Sequence, residues 1–109
     1  MHQITFRPQS QAVLKHLPKE QQLELVNFLT GLDEAALDVH PIHRDHHVFH
    51  RLRWKQFRLY IECAAADHWA VHYLIPKHTW EDFLFRTNLP FNEDALEADK
   101  RFWELLKKL

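Results

Sequence analysis

The sequence predicts an α+β protein: an N-terminal strand and a helical hairpin packed on an antiparallel sheet of about four strands, plus a C-terminal helix. The stretch from Val48 to Ile75 contains three short runs in which apolar and polar residues alternate, as in strands. The flanking stretches repeat apolar residues every three to four positions, as in helices. A chain of 109 residues has the size of one domain, so we predict a single domain over residues 1–109, with residues 91–109 as a C-terminal helical extension.

The N-terminal third is predicted to contain one strand and two helices. Residues 3–7 alternate polar and apolar side chains, as a short strand does. Ser10 is expected to cap a first helix, which ends before Pro18 because proline lacks the N–H that a helix needs. Pro18 then opens a second helix over residues 19–32. A further helical turn is expected over residues 33–39.

The remaining elements are a meander followed by helices. Short spacers separate the three central runs, so antiparallel neighbours are the simplest arrangement. Thr79 is expected to cap the helix that follows them. Asn92 is expected to cap a final helix over residues 93–109, which begins acidic and ends basic, as the helix dipole favours. The three predicted strands are residues 48–54, 57–63 and 69–75.

Charge is unevenly distributed along the chain, although the formal net charge is only −1. The near-neutral total counts against a strongly basic nucleic-acid-binding protein, but a local basic field remains. Residues 40–58 carry +4 from Arg44, Arg51, Arg53, Lys55 and Arg58 against Asp45, and residues 81–99 carry −5 from Glu81, Asp82, Glu93, Asp94, Glu97 and Asp99 against Arg86.

The basic residues are predicted to share one face of the sheet. Successive side chains of a strand point to opposite faces, so Arg51, Arg53 and Lys55 are expected on one face and Leu52 and Trp54 on the other. The helical hairpin covers one face, and we expect the opposite face to stay open to a ligand. Guanidinium groups beside aromatic rings on such a face suit phosphates and bases.

The single cysteine, Cys63, excludes an intramolecular disulfide and favours a reducing compartment. It lies in an apolar run, so we expect it to be a small buried core residue. The sequence has no apolar stretch long enough for a membrane span and no signal-peptide pattern. We therefore expect a cytoplasmic protein with no membrane partner.

The order of elements resembles the RelE/ParE superfamily of bacterial toxins. The resemblance covers residues 3–86 and includes the phrases at Ile4–Phe6, Ala12–Leu17 and Phe57–Ile61. It implies the toxin of a type II toxin–antitoxin system, held inactive by a cognate antitoxin protein, and leaves the oligomeric state open. RelE-like members, the favoured branch, are ribosome-dependent messenger-RNA endonucleases that inhibit translation and need no metal or other cofactor.

The resemblance also leaves two alternatives. ParE-like members inhibit DNA gyrase without hydrolysing anything, and the absence of a tyrosine after the last predicted strand favours that branch. The second alternative is that the chain is an inactive or repurposed member of the superfamily. Its acidic C-terminal helix, residues 93–108, then either covers the basic face as an antitoxin segment would, or is a simple core helix, which we favour.

The resemblance assigns candidate site residues position by position. Arg51 and Arg53 match the family's basic pair on the second strand, and Arg58 matches the arginine of the following strand. Lys77 and His78 match the basic position after the last strand. The full set of candidates is Arg51, Arg53, Arg58, Lys77 and His78 for catalysis, and Arg44, Lys55, Trp80 and Phe83 for RNA binding.

These residue types suit metal-free RNA cleavage. The planar arginine fork matches phosphate oxygens and stabilises the extra negative charge of the pentavalent phosphorane. A group that titrates near neutrality is needed for proton transfer, and His50, His72 and His78 qualify by type. We choose His78 because it follows the last strand. Arg58 has an alternative interpretation as the partner of Glu62 in a structural ion pair. The aromatic residues have an alternative interpretation as core residues.

Five histidines lie close together between residues 40 and 50. Three imidazoles can supply most of a tetrahedral zinc shell, which makes a metal site one hypothesis. No cysteine lies close in sequence and no His-Glu-x-x-His motif is present, so we favour a surface cluster that becomes charged below neutrality and predict no metal. The five are His40, His43, His46, His47 and His50.

Overall fold

The computed structural model describes residues 3–33, 37, 41–65, 67–89 and 92–109. In these ranges a mixed sheet of five strands, in the order β1-β5-β4-β3-β2, lies between two layers of helices. The α+β class is confirmed, with five strands where we predicted about four. The strands are β1 (Gln3–Phe6), β2 (Ile42–Arg44), β3 (His47–Trp54), β4 (Phe57–Ala65) and β5 (His68–Pro76). The helices are α1 (Pro8–His16), α2 (Lys19–Gly31), α3 (Lys77–Thr87), α4 (Glu93–Ala98) and α5 (Lys100–Lys107).

The N-terminal elements follow the predicted order, but α1 starts early. The helix begins at Pro8, so the prediction that Ser10 caps it is wrong. Ser10 is buried inside α1, and its hydroxyl donates a hydrogen bond to the carbonyl oxygen of Val71 at 2.6 Å. This bond anchors α1 on β5, beside the parallel pairing of β1 with β5. The turn predicted over residues 33–39 falls largely outside the described residues.

One face of the sheet, which we call the hairpin face, packs against α1 and α2. Its core is apolar: Leu59 and Leu74 of the sheet meet Leu25 and Leu29 of α2, and all four side chains are fully buried. Cys63 is only half-buried at the margin of this core, where we predicted full burial. The helical hairpin therefore has the apolar stripe that the sequence period predicts.

The opposite face, which we call the charged face, packs against α3, α4 and α5. Tyr60 of the sheet is buried there against Trp80, Phe102 and Trp103. The expectation that this face stays open is wrong, because the C-terminal part of the chain covers it. The face consists of His47, Phe49, Arg51 and Arg53 of β3, Arg58, Tyr60 and Glu62 of β4, and His72, Tyr73 and Ile75 of β5.

The C-terminal extension forms two helices where we predicted one over residues 93–109. The segment breaks at Asp99, whose carboxylate accepts a hydrogen bond from the backbone N–H of Arg101 at 2.9 Å and so caps α5. Asn92 caps α4 as predicted, since its side chain accepts a backbone hydrogen bond at 3.1 Å. None of the helices in the described ranges is long and apolar enough to cross a membrane.

Two local irregularities shape the charged face. Asp45 and His46 have φ of 49° and 67° and form the two-residue turn between β2 and β3, as in the primed turns that suit hairpins. The pairing of β4 with β5 slips between Tyr73 and Val71, so His72 is an extra, bulged residue. The predicted antiparallel meander of β3, β4 and β5 is otherwise confirmed.

α3 follows β5 directly. The helix begins at Lys77, so the prediction that Thr79 caps it is wrong. The backbone N–H of Lys77 donates to the carbonyl oxygen of Gln56 at 2.8 Å, which ties the start of α3 to the turn between β3 and β4.

Candidate functional site

Three arginines of the charged face converge on one carboxylate. Arg51 Nη1 lies 2.9 Å from Oε2 of Glu93, and the Nη2 atoms of Arg53 and Arg58 both donate to Oε1 of the same residue. Glu93 is the first residue of α4, so the acidic end of the C-terminal segment sits on the basic strands. We call these four residues the arginine cluster.

The sheet register explains why the guanidinium groups meet. β3 and β4 pair so that Arg53 lies opposite Arg58 and Arg51 lies opposite Tyr60. Like charges directly opposite each other repel, which destabilises a bare sheet pair. Glu93 offsets that repulsion because one carboxylate can accept from several N–H groups at once.

A second carboxylate, that of Glu97, is held more deeply. Its Oε1 lies 2.7 Å from Arg51 Nη1, and its Oε2 accepts a hydrogen bond from the hydroxyl of Tyr60 at 2.6 Å. Glu97 is only 5% exposed, and this burial raises its pKa, against the opposing effect of the hydrogen bond from Tyr60 and the charge of Arg51. Burial, with the nearby Glu97 carboxylate, also raises the pKa of Tyr60 well above its usual value. Glu97 therefore fastens α4 to the sheet, one turn along from Glu93.

Arg58 lies between an aromatic ring and the carboxylate of Glu93. Its guanidinium carbon lies 3.5 Å from the centroid of the Trp80 ring, a cation–π contact. Its Nε and Nη1 atoms are buried and have no hydrogen-bond partner among the described residues. Burial lowers the pKa of Arg58 below its ordinary value, although the group stays charged at neutral pH. Arg58 thus keeps donor capacity for a further acceptor.

A cleft of about 270 Å³ opens beside Arg58, where β5 leads into α3. Its charged residues are four basic side chains against one acidic one, so its potential favours an anion. The cleft is lined by Arg53, Lys55, Gln56, Phe57, Arg58, Ile75, Lys77, Trp80 and Glu81.

Some predicted residues lie at this cleft. Lys77 is exposed, with Nζ 3.9 Å from Glu81 Oε1. His78 is exposed in the first turn of α3 and lines the adjoining groove, together with Lys77. Trp80 is buried, and one side of its ring is taken by Arg58. Only part of the predicted aromatic platform is therefore free to stack on a base.

Of the other predicted residues, Lys55 lines the cleft but departs from its expected face, and Arg44 and Phe83 do not line the cleft. The expectation that Lys55 shares the face of Arg51 and Arg53 is wrong, because its φ of 51° turns the chain there and its ammonium donates to Glu24 of α2. Arg44 donates to the carbonyl oxygen of Ala98. Phe83 is half-buried against the apolar core of the charged face.

The histidines of the described residues 41–50 do not come together as the hypothetical zinc site; two of them are exposed, as in the surface cluster that we favoured. His40 lies outside the described residues. His43 and His46 are exposed, and His50 is half-buried with its Nδ1 unpartnered among the described residues. The alternative pairing of Arg58 with Glu62 is also wrong, since Glu62 contacts His47 and His72 instead.

Sequence reasoning missed three residues of the site: the acceptors Glu93 and Glu97, and the donor Tyr60. A signal for the two glutamates was present, because the acidic balance of residues 81–99 complements the basic balance of residues 40–58. Their spacing of four residues also places both carboxylates on one face of a helix.

No family model, curated protein or solved structure matches this chain. The toxin resemblance therefore stays a prediction, and functional inference starts from the arginine cluster and the cleft beside it.

Proposed function

We propose that the chain is a RelE/ParE-like toxin of a bacterial type II toxin–antitoxin system, which cleaves messenger RNA at the ribosome in the cytoplasm and is bound by a cognate antitoxin. The supporting observation is that Arg51, Arg53 and Arg58 converge on the single carboxylate of Glu93. A carboxylate held by several guanidinium groups occupies a position that suits a phosphate, since both anions present oxygens to the same planar donors.

The arginine cluster supplies the charge stabilisation that metal-free cleavage needs. A phosphorane carries more negative charge than the phosphodiester, so fixed cations on a sheet stabilise the transition state more than the ground state. Arg58 has two buried N–H groups available for it. Lys77 lines the same cleft and His78 the adjoining groove, which makes them the candidates for proton transfer.

In this proposal the conformation described is the closed one, in which Glu93 holds the phosphate position as an antitoxin side chain would. Arg53 is 66% exposed, so its pair with Glu93 is screened by water and weak. Glu97, by contrast, is buried. The Glu93 side chain is 21% exposed and that of Glu97 is 5% exposed, so Glu93 is the carboxylate that a phosphate displaces, while Glu97 keeps α4 attached.

The test is a single charge-neutralising change, Glu93→Gln, with Glu104→Gln as the matched control. Deletion of the C-terminal segment is unsuitable because it would remove the core residues Phe102, Trp103 and Leu106. Glu104 lies in the same segment and is exposed, 3.9 Å from Lys100. We expect Glu93→Gln to increase messenger cleavage in a translating extract and to deepen growth arrest, with no change in the control.

Substitution of Arg58 by Ala should abolish both effects in the Glu93→Gln background. Intact messenger and unimpaired protein synthesis with purified Glu93→Gln protein would contradict the nuclease proposal.

A second candidate function is a ParE-like inhibitor that binds a protein such as DNA gyrase, or an inactive, repurposed member. The observation that favours it is that Arg51 and Arg58 are mostly shielded and already paired with the chain's own carboxylates. Growth arrest with damaged DNA and normal messenger would identify the inhibitor. Absence of arrest in both wild type and Glu93→Gln would identify the repurposed member.

A further inference from the structure

A histidine–glutamate–histidine group lies on the charged face, at the end of β3 remote from Arg53. Nδ1 of His47 lies 3.1 Å from both carboxylate oxygens of Glu62. Nε2 of His72 lies 3.0 Å from Oε1 of the same carboxylate. In the part of the chain that the structure describes, this is the only group of three or more such side chains whose ligand atoms all lie within 4.8 Å of one another.

Rigid elements position the three side chains. They come from three neighbouring strands, β3, β4 and β5. The two-residue turn Asp45–His46 fixes the backbone immediately before His47, and Lys107 of α5 holds that turn through Asp45 at 2.6 Å. The bulge in β5 places His72 on the same face as its neighbour Tyr73, where strict alternation would point it away.

We propose that His47, Glu62 and His72 bind one divalent transition-metal ion, with Zn²⁺ the best match. Two imidazoles and a carboxylate are a set that zinc uses in sites that keep an open coordination position. Bonds of about 2.0–2.1 Å at tetrahedral angles put ligand atoms about 3.3 Å apart. The nitrogen–oxygen separations of 3.0 and 3.1 Å are already close to that spacing.

The remaining adjustment falls on the most mobile ligand. The His47 side chain is 44% exposed, so its ring can turn to bring Nδ1 towards Nε2 of His72 without disturbing the core. The same exposure leaves room for water or a substrate oxygen as the fourth ligand. The rings of Phe49 and His72 pack edge to face, with centroids 4.9 Å apart, so Phe49 limits access from that side. The resulting site is open on one side, as a hydrolytic or a substrate-binding metal site is.

The site does not depend on the arginine cluster or on the proposed toxin activity. It uses different residues, and the chain can bind zinc whether or not it cleaves RNA. The competing account is a hydrogen-bonded triad, in which the two imidazoles donate N–H groups to Glu62 and no ion binds.

The experiment is calorimetric titration of the full chain with ZnCl₂ in a non-chelating buffer. The variants are His47→Gln and His72→Gln, and the matched control is His43→Gln, which removes an exposed histidine of the neighbouring strand. We expect one ion per chain for the wild type and the control. Loss of a direct ligand should weaken affinity by more than about 100-fold, the upper end of what loss of a supporting group costs.

A Co²⁺ titration supplies a readout that folding differences do not mimic. A four- or five-coordinate Co²⁺ ion absorbs visible light much more strongly than the hydrated octahedral ion. Strong absorption in the wild type and His43→Gln, lost in His47→Gln with an unchanged circular-dichroism spectrum, supports the site. Absence of zinc binding, or equal binding by all four proteins, would mean a hydrogen-bonded triad or scattered surface histidines and would overturn the proposal.

Discussion

The hairpin face and the charged face bury similar strands in different ways. On the hairpin face, Leu59 and Leu74 meet the leucines of α2, and contact needs only apolar area. On the charged face, Arg51 and Arg58 are nearly as shielded, but each requires a partner in a defined geometry. A face held partly by directional contacts is one on which a ligand can replace a partner. The charged face therefore combines an apolar core around Tyr60, Phe102 and Trp103 with a polar part suited to binding.

The energetics of ion pairs strengthen that distinction. Burying a charge costs desolvation free energy, and the attraction of its partner roughly offsets that cost. Apolar residues of similar volume would therefore hold α4 and α5 at least as well. The ion pairs of the charged face are therefore not the most stabilising contacts that this interface could contain, which supports the proposed binding role.

The largest effect is expected on the hairpin face. Leu25→Ala removes a fully buried side chain between α2 and the sheet, and we expect a loss of about 2–5 kcal/mol in the free energy of unfolding. The control is Leu23→Ala on the same helix, where the side chain is 63% exposed, and its effect should stay within about 0.5 kcal/mol. Urea denaturation measures both. Equal effects would show that α2 does not pack as described.

The second-largest loss of stability is expected for Glu97→Ala, which removes the most buried carboxylate of the charged face. Glu97→Ala leaves the buried hydroxyl of Tyr60 without its acceptor and removes a carboxylate from Arg51. We expect a loss of about 2–3 kcal/mol, because unsatisfied buried polar groups cost about that much. Glu104→Ala, on the exposed side of α5, should change stability by less than about 0.5 kcal/mol. A similar small change for Glu97→Ala would mean that α4 is not fastened at this point.

The same contrast explains what could be predicted from the sequence. The strands of the meander and the stripe of α2 follow from hydrophobic period, which depends only on neighbouring residues. Alternation also predicts that Arg51 and Arg53 share a face, but Arg58 joins them through the register of β3 with β4. Lys55 escaped that rule because the turn reverses its direction, and a left-handed backbone at a lysine has no sequence signature.

The partners of the charged face could not be predicted from local pattern. Glu93 lies 40 residues from Arg53 in sequence, and alternation does not specify which carboxylate crosses to which strand. The break at Asp99 interrupts an apolar stripe that otherwise reads as one helix. The bulge at His72 changes the face of one side chain, and this local shift creates the histidine–glutamate–histidine group.

A smaller effect distinguishes two carboxylates of the C-terminal segment by pH. Hydrogen bonds from Arg101 lower the pKa of Asp99 from 3.8 to about 2, so its contribution to stability is present above pH 3.8 and lost as the pH falls towards 2. Burial raises the pKa of Glu97, so its protonation adds stability below pH 4.5. That addition is lost as the pH rises through the raised value, while the ionised carboxylate keeps its contacts with Tyr60 and Arg51. Urea denaturation over a pH series should show two changes in the pH dependence of the free energy of unfolding. Asp99→Asn should weaken it below pH 3.8, and Glu97→Gln should weaken it above pH 4.5. Curves parallel to the wild type would contradict these assignments.

The last change, Arg58→Met, is expected to alter stability little. It tests most directly whether the ion pairs of the charged face serve binding or stability. Methionine keeps the stem that packs on Trp80 and removes two buried donors without partners, each of which costs about 1–3 kcal/mol. It also removes a cation–π contact of about 0.5–2 kcal/mol and one pair with Glu93. These contributions nearly cancel, so we expect stability within about 1 kcal/mol of the wild type.

Arg58→Ala is the matched comparison, because it also removes the packing of the stem and should be less stable than Arg58→Met. The functional readout is phosphate: added phosphate should raise the melting temperature of Glu93→Gln, in which three guanidinium groups lack their shared acceptor, and the added Arg58→Met change should abolish most of that rise. If Arg58→Met alone costs more than about 3 kcal/mol, Arg58 is a structural residue. The ion pairs of the charged face would then hold the fold, as the apolar core of that face does, and would carry no argument for a ligand.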